Sequence, residues 1–253
     1  MHPTALVDSS ADLGDHVTIG PYSVIEANVT LGNNVTIGNH VTVCDNTSVG
    51  KDSRIFHSCS IGEIPQDLKF GGEKTKTIIG ERTTIREFVT INRGTDALGK
   101  TQLGADCLLM AYVHVAHDCV IGDNVIMANM ATLGGHVEIG DWASLGGGVL
   151  VHQFTKVGKH AFIGGGFRVV QDVPPFILCA EEPLQFQGVN RVGLKRRGFS
   201  VEERSIIKNT YQIYFRSGLN RKEALTKIET NIPDSKYRNQ IVEFIRSSER
   251  GII

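Results

Sequence analysis

Aliphatic residues recur at every sixth position through the first two-thirds of the chain. Counting in sixes from Val7 to Val169 visits 28 positions, and 25 of them are Val, Ile, Leu or Met. The exceptions are Asp67, Glu73 and Ala97. No helix has a period of six. The residue two before every aliphatic position but the last, where Phe167 stands, is small or β-branched, as at Val35, Thr83, Val113 and Ala131, which makes each repeat a short half-buried strand. The residue after it is often glycine, as at Gly14, Gly50, Gly104 and Gly140, and glycine there is expected to supply a tight bend.

A six-residue strand and turn cannot bury its own inner face. Three such units close a triangular coil of about 18 residues, and coils stacked about 4.8 Å apart pair their strands in parallel around a continuous aliphatic core. The pattern therefore predicts an all-β solenoid, a parallel β-helix of hexapeptide repeats over residues 1–178. Spacing does not fix its handedness. Two interruptions, 63–76 and 95–100, replace two repeats and one repeat, and the frame resumes in phase after each. They read as loops extruded from a continuing solenoid, where function tends to collect.

Val173-Pro174-Pro175-Phe176 closes the period, and residues 179–253 read as a small α-helical C-terminal domain. Ser200 with Glu203 and Asn220 with Glu223 form capping boxes. Gly218 ends the first helix, and Pro233 precedes another carrying Tyr237, Ile241, Phe244 and Ile245. The basic stretch Gly193–Gly198 between the two parts reads either as a solvated linker or as an anion site.

Composition narrows the picture. Twenty-eight glycines with only 7% aromatics suit a narrow interior lined by aliphatic side chains. The 26 basic and 27 acidic residues leave no global field for nucleic acid. No apolar run spans a bilayer and no signal peptide is visible, so a cytoplasmic protein without a transmembrane segment is expected. Five cysteines without a CxxC pair read as free thiols in a reducing compartment. Cys59, Cys107 and Cys119 fall in the small inward slot, as core filler.

Five of the nine histidines, His114, His117, His136, His152 and His160, fall in one stretch and in outward slots. The coil frame sets His117 beneath Gly135, Asp118 beneath His136, and His152 above Gly134, in a slot that otherwise favours glycine. Any one of these alone reads as a surface residue. Together they read as a site, because a bare glycine over a histidine leaves room for a substrate and a free backbone N–H. No His-x4-His pair is present, so no metal is expected. No serine or cysteine lies in a nucleophile motif, so a histidine general base with direct transfer fits better than a covalent intermediate.

At these residues the chain resembles, essentially end to end, the acyl-[acyl-carrier-protein]–UDP-N-acetylglucosamine O-acyltransferases that begin lipid A synthesis. The motifs that carry the likeness include Gly62-Glu63 with Pro65-Gln66-Asp67-Leu68-Lys69, Arg93-Gly94-Thr95, His114-Val115-Ala116-His117-Asp118-Cys119, Gly135-His136-Val137, Val151-His152-Gln153-Phe154 and Gln171-Asp172-Val173-Pro174-Pro175. Gly188-Val189-Asn190 and Gly193-Leu194-Lys195-Arg196-Arg197-Gly198-Phe199 complete them.

The resemblance implies a left-handed β-helix assembled as a homotrimer, with sites between subunits. It implies acyl carrier protein as donor, UDP-N-acetylglucosamine as acceptor, and no further cofactor. His117 would be the base, Asp118 its orienting partner and Gly135 the oxyanion donor. Asp67, Lys69, His114, His136 and Gln153 would line the sugar and acyl contacts, with His152 nearby. Asn190, Arg196 and Arg197 would hold the nucleotide, and Gly165 would set acyl length. Two positions depart from many members: Val192 replaces an acidic ribose contact, and Asn92 replaces a histidine. Three rivals share parts of the pattern: the N-acyltransferase of the same pathway, a coenzyme A-dependent sugar acetyltransferase, and a non-catalytic trimeric scaffold. The first places a uridine-binding domain before its solenoid, whereas here repeats begin by Val7.

Overall fold

The computed structural model describes residues 1–253. Its short strands stack into three flat faces. Face 1 has nine strands, running from Leu6–Val7 through His114–Val115 to Arg168–Val169. Face 2 has eight, from Asp12–Leu13 to Lys156–Val157, and face 3 has ten, beginning at Thr18–Ile19. Successive coils pair in parallel with an offset of 18, as in Leu6↔Val24 and His114↔Thr132. The offset widens only where the two loops intervene, as in Ser60↔Thr90 and Lys76↔Lys100. Both loops leave the corner between face 1 and face 2, on consecutive coils.

The sixth-position aliphatics point inward. Ile37, Ile61, Leu109 and Leu133 are at most 1% exposed, within one continuous core. Each such side chain contributes roughly 1.5–3 kcal/mol on burial. Cys59, Cys107 and Cys119 are buried in the same core, one before a strand of each face, and burial pushes their thiols up to about 11, about 11 and about 12. All three donate to the turn of the coil above, Cys59 to the Arg86 carbonyl at 2.9 Å, Cys107 to the Gly122 carbonyl and Cys119 to the Gly134 carbonyl, both at 3.2 Å. They are core residues that also tie coils together.

The role expected for the repeat glycines needs correction. The backbone bends two residues later, at a left-handed residue that is usually not glycine: Tyr22, Asn34, Asp118, His136 and Trp142 all have φ near +60°. The glycine is needed because the next coil presses on it. A Cβ on Gly80 would lie 2.4 Å from the Gly104 carbonyl carbon and 2.5 Å from the Ala105 nitrogen. Glycine here serves close stacking rather than conformational freedom.

The solenoid does not stop at Val169. Ile177–Ala180 pairs in parallel with Phe162–Ile163, and Gln185–Val189 folds back antiparallel on it, so the division expected at 178/179 falls inside a strand. Four helices follow: α1 (Arg191–Arg196), α2 (Val201–Arg216), α3 (Arg221–Asn231) and α4 (Lys236–Ser247). Both predicted capping boxes are formed, at Ser200 and at Asn220. The basic stretch 193–198 is not a plain linker, since most of it lies in α1, whose first turn is capped by the Asn190 side chain. Tyr211 is fully buried and donates its hydroxyl to the Pro175 carbonyl, seating α2 on the last coil.

Candidate active site

The first corner, between faces 1 and 2, carries the histidine column. His117 lies directly under Gly135: a Cβ on that glycine would sit 2.6 Å from the imidazole Cε1 and 2.7 Å from Nε2. Asp118 accepts from His117 Nδ1 at 2.8 Å, which leaves Nε2 as the free nitrogen. The Gly135 N–H donates to no protein acceptor. A free imidazole nitrogen and an unpaired backbone N–H thus lie on the same corner, one coil apart, where the frame sets them.

Asp118 has a fully buried side chain. Burial works to raise its carboxyl, but hydrogen bonds from Thr95 and His117 outweigh that and leave it below the usual range. The Thr95 N–H and the Leu98 N–H donate to one oxygen at 2.9 and 3.2 Å, and the Thr95 hydroxyl donates to the other at 2.6 Å. The second loop therefore exists, in part, to hold this carboxylate ionised against His117. Sequence reasoning quoted Thr95 within a motif without giving it this role. Its loop lies outside the repeat, so the frame could not align it.

His136 stands on the coil above, with Nε2 3.8 Å from Asp118 and its ring stacked on Phe154 at 4.4 Å. Burial holds its imidazole below the ordinary value, partly offset by the Asp118 and Asp67 carboxylates. Asp67 is thus close enough to act on His136 from the first loop, where it also caps its own turn by accepting from the Lys69 N–H at 3.0 Å. His114 lies on face 1 and pairs with Thr90 at 2.7 Å, and burial lowers its pKa. His152 and Gln153 occupy the coil above Gly135, where the Arg250 guanidinium lies 3.2 Å from His152 Nδ1. Ligand atoms of His117, Asp118 and His136 come within 4.8 Å of one another. Asp118, however, already accepts four protein donors, which suits a proton-ordering carboxylate better than a metal ligand.

The remaining predicted residues sit on other corners. Asn190 donates Nδ2 to the His160 carbonyl at 2.9 Å, and Arg197 lies 3.3 Å from His160 Nδ1 and 5.0 Å over the Trp142 ring. This is the second corner, between faces 2 and 3, where Trp142, His160 and Phe176 stack. Burial, with the Arg197 cation beside it, holds the His160 imidazole down to about 4. His160 therefore belongs with the nucleotide candidates and not with His117. Arg196 is exposed beside them. Gly165 lies on the third corner, its Cβ position 3.0 Å from the Gly147 carbonyl oxygen. One chain brings together His117, Asp118, Gly135, His136, Asp67, His152 and Gln153. It keeps Asn190, Arg196, Arg197 and Gly165 apart from them.

Known proteins match this chain along its whole length. The family model described as "Udp N-acetylglucosamine O-acyltransferase; Domain 2" matches residues 172–253, and the bacterial transferase hexapeptide model matches 10–45 and 100–135. An acyl-[acyl-carrier-protein]–UDP-N-acetylglucosamine O-acyltransferase from Janthinobacterium sp. is 50% identical, covering 100% of this chain and 98% of that protein. One from Paracidovorax citrulli is 51% identical with the same coverage. Among solved structures, the UDP-N-acetylglucosamine acyltransferase of Bacteroides fragilis superposes with a TM-score of 0.99 at 45% identity, covering 100% of this chain and 99% of that one. The Arabidopsis enzyme superposes at 0.83 and 34% identity, covering 100% of this chain and 99% of that one. These matches make the solenoid a left-handed β-helix with a C-terminal helical domain. The chain belongs to the family of acyl-[acyl-carrier-protein]–UDP-N-acetylglucosamine O-acyltransferases.

Proposed function

We propose that this chain transfers an acyl group from acyl carrier protein to the 3-hydroxyl of UDP-N-acetylglucosamine, the first step of lipid A biosynthesis, with His117 as general base. His117 Nε2 takes the hydroxyl proton as the sugar oxygen attacks the thioester carbonyl. Asp118 stabilises the imidazolium that forms. The Gly135 N–H receives the oxyanion of the tetrahedral intermediate, and a donor fixed in advance at that point usually lowers the barrier to acyl transfer more than any other single contact. Collapse breaks the C–S bond, and the imidazolium returns its proton to the leaving thiolate. Base, oxyanion donor and thioester suffice, so the step needs no cofactor or metal.

The observation that carries this reading is the Thr95–Asp118–His117 chain ending under the unpaired Gly135 N–H. Asp67, His136, His152 and Gln153, gathered on that corner, act as sugar and acyl contacts, with Lys69 of the same loop as Asp67 and His114 of face 1 assigned to the same role. The nucleotide group Asn190, Arg196 and Arg197 and the acyl-length position Gly165 lie on other corners of the same chain. A cyclic homotrimer supports their convergence, because it would set different corners of neighbouring subunits against one another. No helix is long and apolar enough to cross a membrane. Five buried, unpaired thiols suit the cytoplasm.

The test is product analysis by mass spectrometry with three donors at equal concentration: hydroxyacyl carrier protein, the matching acyl-coenzyme A, and acetyl-coenzyme A. UDP-N-acetylglucosamine gains one ester-linked chain from the carrier protein. Transfer from acetyl-coenzyme A alone would contradict the reading.

A further inference from the structure

Arg93 stands one coil below His117 in the same corner slot, two residues past Ile91 as His117 is two past its register partner Val115. It is 7% exposed, an unusual place for a cation. Its guanidinium turns away from the histidines. Nη2 pairs with Asp45, two coils below, and Nε donates to the Gly62 carbonyl at 2.8 Å. Its backbone N–H donates to the Glu63 carbonyl at 2.9 Å. Glu26, Asp45, Glu63 and Arg93 all act on the Cys44 thiol, so this corner holds three carboxylates and one cation.

These bonds grip the root of the first loop. Asn92 donates Nδ2 to the Ile64 carbonyl at 2.9 Å, also at that root. The far end of the same loop is bolted to the second loop. The Thr75 hydroxyl donates to the Gly94 carbonyl at 2.6 Å, and the Lys76 N–H donates to the Gly99 carbonyl at 3.0 Å. Thr95, next to Gly94, is the residue that holds Asp118. One mechanical path therefore runs from Asp45 through Arg93 to both loops, and ends at the Asp67 and Asp118 carboxylates.

We infer that the Asp45–Arg93 ion pair, with Asn92, is a positioning clamp that sets both site loops over the histidine column. Neither residue reaches the reacting atoms. The clamp acts by fixing where Asp67 and Lys69 meet the acceptor and where Thr95 meets Asp118. It rests on the reading of the first loop as an acceptor contact, but its mechanical half can be read without turnover.

The experiment uses the full chain with Asp45→Asn, which keeps the side-chain shape and removes the charge, and Arg93→Lys, which keeps the charge and loses the fork. Amide hydrogen exchange is followed by peptide mass spectrometry, beside steady-state kinetics. In both variants exchange rises in peptides covering 63–76 and 94–100 and stays at the wild-type level in coils below Asp45 and above Gly135. The KM for UDP-N-acetylglucosamine rises roughly tenfold, and kcat falls less, since displaced loops weaken acceptor binding before they disturb the base. Asp45→Glu, which restores the charge, recovers most of the exchange protection. Unchanged exchange in both loops would overturn the clamp. So would a general rise along the solenoid, which marks a merely structural pair. Loop-specific exchange with unaltered KM would keep the clamp and remove the first loop from acceptor binding.

Discussion

Replacing His117 with alanine lowers kcat by roughly a thousandfold, within the range typical of a lost general base. Its side chain lies on the outside of the corner and takes no part in the aliphatic core. The variant therefore folds and melts like the parent. What it loses is the nitrogen that takes the hydroxyl proton and returns it to the thiolate. Nothing nearby replaces it. His136 Nε2 lies 3.8 Å from Asp118, and burial disfavours its protonated form. His114 is committed to Thr90 and is likewise held neutral by burial. Single-turnover acyl transfer, with thermal denaturation alongside, reads both halves of the expectation. A variant within tenfold of wild type would remove His117 from the base role.

Gly135→Ala is expected to cost nearly as much although it removes no functional side chain. The added methyl would lie 2.6 to 3.2 Å from three atoms of the His117 ring. The ring cannot simply turn away, because Asp118 holds Nδ1 and the His136 ring packs edge-on at 5.1 Å. Either the imidazole leaves Asp118 or the coil moves, and in both cases the N–H and the base stop facing one space. Losing an oxyanion donor costs about 10²–10³ in kcat. Because the two groups act as one unit, the double variant Gly135→Ala/His117→Ala is only slightly slower than His117→Ala. Independent, multiplying defects in kcat would separate the glycine from the histidine.

The stacking of His117 under Gly135 was legible from the sequence because the repeat is a coordinate system. Residues 18 apart lie above one another wherever no loop intervenes, and Gly134, Gly135 and His136 fall where counting puts them. The same counting separates His160 from the group, since it lies one corner further on. Closeness along the chain had suggested one cluster, but His160 joins Trp142, Phe176 and Arg197 instead. The loops were legible as loops and not as parts. Thr95 and Arg93 act through contacts 23 and 48 residues away, which a local pattern cannot encode. Glycine was read correctly as frequent in that slot and wrongly in its cause, because a crowded neighbour leaves no signature within one hexapeptide. Helix α1 escaped because its sequence contains Gly193 and has no acidic residue in its first turn, so it lacks the usual start signals.

The central claim is that the base on the first corner of one subunit serves a nucleotide held on the second corner of its neighbour. Subunit mixing tests it most directly. His117→Ala and the double variant Arg196→Ala/Arg197→Ala are each prepared as inactive protein, then dissociated and reassembled together at equal amounts. If base and nucleotide cations come from different subunits of a cyclic trimer, about one site in four regains a complete set, and acyl transfer returns to about a quarter of wild type. Activity that stays at the level of the separate variants, with mixed trimers confirmed by native mass spectrometry, would contradict the claim.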